Sequence, residues 1–169
     1  NPMKADTIAK YEKEFLSMNA SQLHLLQKIY IKAKPYNLQH TAVAIAWQES
    51  ALGVASVNLQ DPSCGPFHQH IVYYLRRKKI PNNSFNRNKF CTMFINDFDF
   101  AFNAFIETWR LWEAKHKNKI AKHDLTIRSY NAGVNVNSQA AIRYRNQVKT
   151  RQAVIMKYFK EETFLAQAK

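Results

Sequence analysis

Glycine and proline are scarce in this chain, at 3 and 5 of 169 residues. That scarcity excludes a collagen-like repeat and argues against disorder and against a turn-rich β-sandwich. No apolar run approaches the roughly 18 residues of a membrane-spanning helix. No secretory leader is legible, and the chain begins at Asn1 rather than Met. Cysteine is limited to Cys64 and Cys91, too few for a disulfide scaffold. Two free thiols are the expected state, with one bridge the alternative in an oxidising compartment. Acidic residues are also short: 12 Asp and Glu stand against 25 Lys and Arg, a formal net charge of +13. Such a surface attracts polyanions, a class that includes nucleic acid, anionic lipid and the acidic polymers of a bacterial envelope. There is no phosphate-binding glycine loop and no dinucleotide fingerprint.

What remains is 46% apolar and 13% aromatic. This is the composition of a mainly α-helical protein, and 169 residues suit one domain, 1–169, with a real core. Apolar spacing predicts a first helix over 4–17, with Ile8, Tyr11, Phe15 and Leu16 on its stripe. Asn19 or Ser21 caps a second helix through Ala33, with Leu23, Leu26, Ile29 and Tyr30 inward. Lys34-Pro35 interrupts it. Asn37 is the expected cap of a third helix and Gly53 its stop. Residues 54–66 read as a polar loop, with a short β-hairpin between Val54 and Phe67. A short helix over 68–79 ends in Arg76-Arg77-Lys78-Lys79, and Pro81 to Lys89 reads as loop. A long helix from Asp97 to His116 carries Phe98, Phe102, Phe105, Trp109 and Trp112 at helical steps. That stripe is read as core, and a stacking platform is its sharper alternative. A helix over 124–131 ends near Gly133. The last helix runs from Ser138 toward Phe164, with Tyr144, Val148, Ile155, Tyr158 and Phe159 inward.

The chemistry concentrates between Ala42 and Gln69. Glu49 closes an apolar helical run and shares a helix face with Ala42, Ile45 and Ala46. A carboxyl group on the buried side of a helix loses solvation when ionised, which is one way to make a general acid near neutral pH. The bland alternative is a helix-end Glu reaching solvent. Ser50 follows it, the turn Gly65-Pro66-Phe67-His68 begins 16 residues after it, and Ser129-Tyr130-Asn131-Ala132-Gly133 lies far downstream.

Taken together and in this order, the three pieces resemble the soluble lytic transglycosylases and the related goose-type lysozymes. Those proteins carry a Glu-Ser at a helix end, a Gly-Leu-Met-Gln-like turn and an Ala-Tyr-Asn-Ala-Gly segment. The resemblance covers roughly residues 40–150. It implies a lysozyme-like helical fold that cleaves the MurNAc-GlcNAc β-1,4 bond of peptidoglycan. Glu49 stands at the position of the family's single catalytic acid/base. Ser50, Asn58, Gly65, Phe67, His68, His70, Tyr130 and Asn131 stand at or near substrate-lining positions. His68 and Phe67 depart from the usual Gln and Met, and His68 adds a group that titrates near neutral pH. The resemblance further implies no cofactor and no metal, and a monomer acting on glycan strands and anionic envelope polymers in the periplasm, outside the cell or on a virion.

Three rivals stand beside this reading. A hydrolytic goose-type lysozyme would use Asp61, 12 residues after Glu49, as an auxiliary carboxylate, against its plainer reading as a turn residue before Pro62. A basic helical binder of nucleic acid or wall would use Arg76, Arg77, Lys78, Lys79 and the run Arg143 to Arg151, and would give Glu49 no role. A zinc site from Cys64, His68, His70 and Cys91 fits no established ligand spacing.

Overall fold

Short polar side chains set most of the helix starts. Asn19, Asn83, Asp97 and Ser138 each accept a hydrogen bond from the backbone N–H three residues on, and each opens a helix. The computed structural model describes residues 5–58, 60 and 62–161. It is mainly helical with one small antiparallel sheet. The order is α1 (Ala5–Leu16), α2 (Ala20–Ala33), a 3-10 turn at Lys34–Tyr36, and α3 (Gln39–Ser50). The strands β1 (Val57–Asn58), β2 (Ser63–Cys64) and β3 (Gln69–His70) follow. The chain then forms α4 (Ile71–Arg77), α5 (Ser84–Asn96), α6 (Phe98–Lys115), α7 (Lys122–Ala132) and α8 (Gln139–Tyr158). The sheet order is β1-β2-β3, with Val57 opposite Cys64 and Cys64 opposite Gln69.

Helix α3 is the axis of the larger core. Thr41 through Trp47 are all buried, and α2 and α8 pack along it. An alanine-rich helix admits close neighbours on every side, so α3 shows no polar stripe until Gln48. Phe67, Phe102, Phe105, Ile127 and Val148 extend this core. Arg151, only 8% exposed, closes its far edge. Its guanidinium lies 4.1 Å from the Tyr11 ring centroid and 4.9 Å from that of Trp47, and 3.4 Å from Glu14 Oε1. Glu14 also accepts from Trp47 Nε1 at 2.8 Å, which pins α1 to α3. A second, smaller core joins Cys64, Ile71, Tyr74, Leu75, Phe94, Ala101 and Ala104 under the sheet.

Several expectations are corrected. Asn37 does not cap α3: it takes a left-handed conformation, φ 57°, and Leu38 precedes the helix without a side-chain cap. The helix stops at Ser50, before Gly53, because Ala51 and Leu52 turn left-handed at φ 51° and 52°. The expected loop at 81–89 becomes helix from Ser84, where the polar first turns of α5 hid a helix capped by Asn83. The sheet has a third strand beyond the expected hairpin. Leu16, placed on the inward stripe of α1, is 65% exposed. The last helix ends at Tyr158, and Phe164 lies outside the described residues.

The cysteines are bridged, Cys64 to Cys91, in place of the two free thiols expected. The bridge ties β2 to α5, and Gly65 beside it explains why the fit is close. At φ +87° a Cβ on Gly65 would stand 2.6 Å from the Phe94 carbonyl oxygen, one helical turn along from Cys91. Only glycine lets the turn lie directly on α5.

Three outcomes follow. The unfolded, non-reduced protein titrates no thiol at the two cysteines. Reduction lowers the unfolding free energy by about 3–4 kcal/mol, the entropic value for a loop of 27 residues, measured by urea denaturation with and without reductant. Gly65→Ala lowers it by on the order of 2 kcal/mol or more through backbone strain and the clash with α5, read from the same urea midpoints.

Candidate active site

Glu49 sits in the last turn of α3, where the buried helix meets the surface; its side chain is 19% exposed. Its predicted face-mates Ala42, Ile45 and Ala46 are fully buried. Both carboxylate oxygens have neighbours. Tyr144 Oη of α8 donates to Oε1 at 2.7 Å. His68 Nδ1 lies 3.4 Å from Oε2, and the His68 side chain is only 9% exposed. The opposite ring nitrogen, Nε2, is 2.6 Å from the Ala55 carbonyl oxygen. Tyr130 Oη of α7 donates to the Phe67 carbonyl at 2.7 Å.

Ser50 explains how the turn at 65–68 reaches Glu49. Its hydroxyl donates to the Pro66 carbonyl at 2.8 Å, with the Ala46 carbonyl 3.0 Å away as an alternative acceptor. It accepts from the Gly53 N–H at 2.9 Å. The serine therefore clips the end of α3 to the turn. Phe67 then drops its ring into the core, stacked on Phe105 at 4.5 Å between centroids. Both side chains had been read as substrate-lining. At 0% exposure neither can touch a ligand, and they shape the site from behind.

The remaining candidates divide. Gly65 is in the floor turn, as already described. His70 caps α4 through Nδ1, accepting from the Tyr73 N–H at 3.3 Å, and its ring meets Tyr73. Asn58 is exposed on β1, and its side-chain carbonyl accepts from the Gln60 N–H at 3.1 Å. Asn131 lines a separate hollow of about 550 Å³ with Asn135, Asn137 and Ser138. Glu49 is not part of that hollow's wall; α7 presents Tyr130 to the turn beside Glu49 and the next residue to the hollow. Asp61 lies outside the described residues. Tyr144 was expected only as an inward core residue. Its signal was available: a phenol on an inward helix stripe needs a buried partner for its hydroxyl.

The electrostatics are set by burial. Burial, and then the neighbouring Glu49 charge, push both Tyr130 and Tyr144 well above the ordinary phenol value. Both stay hydrogen-bond donors across the neutral range. For His68, burial acts downward, but the hydrogen bonds to Glu49 and Ala55 outweigh it and the net shift is upward.

Comparison with protein-family models, curated proteins and solved structures finds no match.

The cation clusters are partly committed elsewhere. Arg77 and Lys78 pair with Glu107, and Arg145 and Lys149 pair with Asp124. Arg151 is buried against Glu14. With both cysteines oxidised, the imagined zinc ligands are not thiolates. Among the described residues no group of three or more His, Cys, Asp or Glu is placed to hold a metal.

The raised value at His68 carries a sign. A histidine whose folded value exceeds its unfolded value of 6.5 stabilises most below that value, and the contribution disappears as pH rises through the folded value. The difference in unfolding free energy between wild type and His68→Gln is therefore largest just below about pH 6.5, above the carboxylate range, and shrinks toward alkaline pH. Urea titrations at a series of pH values check it. Comparing the two proteins cancels His40, His116 and His123, which burial shifts downward.

Proposed function

We propose that the chain is a peptidoglycan lytic transglycosylase in which Glu49 is the sole acid/base. The observation that carries the reading is one largely buried carboxylate, oriented by the Tyr144 phenol and flanked by His68, with Tyr130 alongside. Breaking a glycosidic bond requires an acid to protonate the leaving oxygen. Hydrolysis commonly requires a second carboxylate as base or nucleophile. Among the described residues no second carboxylate joins the hydrogen-bond network of Glu49.

One carboxyl group suffices when the substrate supplies its own nucleophile. Glu49 donates its proton as the bond to the leaving oxygen breaks. The muramyl 6-hydroxyl then attacks its own anomeric carbon, with the N-acetyl group assisting, and Glu49 takes the hydroxyl proton. The product carries a 1,6-anhydro end, and Glu49 is regenerated. Tyr144 fixes the rotamer of Glu49, so the acid does not have to be ordered on substrate binding. The disulfide favours an oxidising setting such as the periplasm, the exterior or a virion. No helix among the described residues is long and apolar enough to cross a membrane. The partners in this reading are glycan strands and the anionic polymers around them.

The test is clearance of purified peptidoglycan with product masses. Wild type releases muropeptides lighter by one water than the reducing-end products of a hydrolase. Glu49→Gln keeps the fold and loses turnover by a factor on the order of a hundred or more. Tyr144→Phe, which removes one hydrogen bond to a charged group, loses roughly tenfold. Undiminished clearance by Glu49→Gln would refute Glu49 as the acid, and absence of clearance by wild type would refute the enzyme and leave the basic binder.

A further inference from the structure

We propose that Glu49 and His68 hold a single proton between them at neutral pH, and that His68 is a positioning residue that keeps this proton available to Glu49. The catalytic consequence rests on the transglycosylase reading; the shared proton does not.

The argument begins at Ala55. A backbone carbonyl oxygen only accepts, so a contact of 2.6 Å from His68 Nε2 requires that Nε2 carry a hydrogen. This fixes the neutral tautomer. The other nitrogen, Nδ1, then presents a bare lone pair toward Glu49 Oε2 at 3.4 Å. An ionised carboxylate opposite that lone pair would set two acceptors against each other. One proton resolves the conflict, either on Nδ1 as an imidazolium beside a carboxylate or on Oε2 as an acid beside a neutral imidazole. Oε1 is already engaged by Tyr144, so Oε2 is the oxygen left to share it.

Among the described residues, the neighbouring phenols and guanidiniums hold their own protons. Tyr130 from α7 and Tyr144 from α8 remain protonated phenols for the reason given above. Arg77 of α4 and Arg151 of α8 are fixed cations that act on those tyrosines. His70 turns its Nδ1 to the start of α4. His68 itself sits at φ +47°, a backbone conformation that costs a non-glycine residue on the order of 1 kcal/mol or more. The turn tolerates that strain where it places the ring between Ala55 and Glu49.

The proton count closes over the reaction. When the resting proton is on Nδ1 it moves to Oε2 before the first step. From Oε2 it passes to the glycosidic oxygen as the C1–O bond breaks. The carboxylate and neutral His68 remain. The 6-hydroxyl oxygen then bonds to C1, and its proton returns to Oε2. The pair ends with the one proton it began with, and no other reactant is consumed. A glutamine at this position would keep the bond to Ala55 but hold no proton.

The experiment is nitrogen-15 NMR of the histidine side chains between about pH 5 and 9. In wild type, Nε2 of His68 stays protonated and Nδ1 titrates. In Glu49→Gln the midpoint falls to lower pH, because the carboxylate partner is gone. A neutral tautomer protonated on Nδ1, or an unchanged midpoint, overturns the proposal. Peptidoglycan clearance then reads the consequence. In His68→Gln the alkaline limb moves to lower pH, with a loss of about tenfold at pH 8 and less than about threefold at pH 5.5. A profile parallel to wild type would make His68 merely structural. If the NMR behaves as expected and wild type clears no peptidoglycan, the enzymatic reading fails and the shared proton stands.

Discussion

The site depends on how α3 ends. A helix buried on all sides from Thr41 to Trp47 has to release the chain abruptly at the surface. It does so through two consecutive left-handed residues, Ala51 and Leu52. Neither is glycine, so the turn carries strain that the surrounding contacts must offset. Ser50 is one such contact, since its hydroxyl bonds both to the following loop at Gly53 and to the turn at Pro66. Leu52, 2% exposed, is another. The same contacts that hold the helix end also bring residues 65–68 against Glu49. The stability of the turn and the geometry of the carboxylate are therefore one problem with one solution.

A lone carboxylate at the mouth of an apolar helix would be poorly solvated without donors. Two phenols and an imidazole answer this in different ways. Tyr144 donates directly to Glu49, whereas Tyr130 donates to the Phe67 carbonyl and stabilises the turn that carries His68. Phe67 links the two roles: its carbonyl takes the Tyr130 hydrogen bond while its ring anchors in the main core on Phe105. The smaller core, stapled by the Cys64–Cys91 bridge, supports the other side of that turn through Gly65. The turn beside Glu49 thus bridges the two cores.

The features legible in the sequence were the local ones. Asn19, Asp97 and Ser138 cap helices through bonds spanning three residues, and Gly133 ends α7 for a backbone reason of its own. The aromatic stripe of α6 gave its burial directly, with Phe102, Phe105 and Trp109 all in the core. Glu49 could be singled out because a carboxylate on an apolar face is rare. What stayed hidden was set by contacts distant in sequence. Asn37 looked like a cap, but the 3-10 turn before it had already fixed a left-handed geometry. The start of α5 is too polar to show a periodic stripe. The bridge depends on two chain segments 27 residues apart meeting in space. Tyr144 joins Glu49 across 95 residues, and Ala55 contributes only a carbonyl, which no side-chain pattern can announce.

Charge is where composition and structure bear on each other most closely. Five of the cations named for a nucleic-acid surface are engaged within the fold, by Glu107, Asp124 and Glu14. That engagement does not reduce the field. Even if every one of the 12 acidic residues neutralised a cation, 25 − 12 leaves 13 positive charges without an acidic counterpart. Attraction to polyanions follows, screened by salt beyond a Debye length of about 8 Å at physiological ionic strength, and it does not distinguish a wall polymer from DNA. What separates the two partners is short-range chemistry. A phosphate backbone has no use for a buried carboxylate between a phenol and a histidine, and would be repelled by it. A glycosidic oxygen, uncharged and in need of a proton, would not be. In the proposed reading, the net charge would bring the chain to an anionic surface, and Glu49 would act there on a neutral, proton-accepting bond.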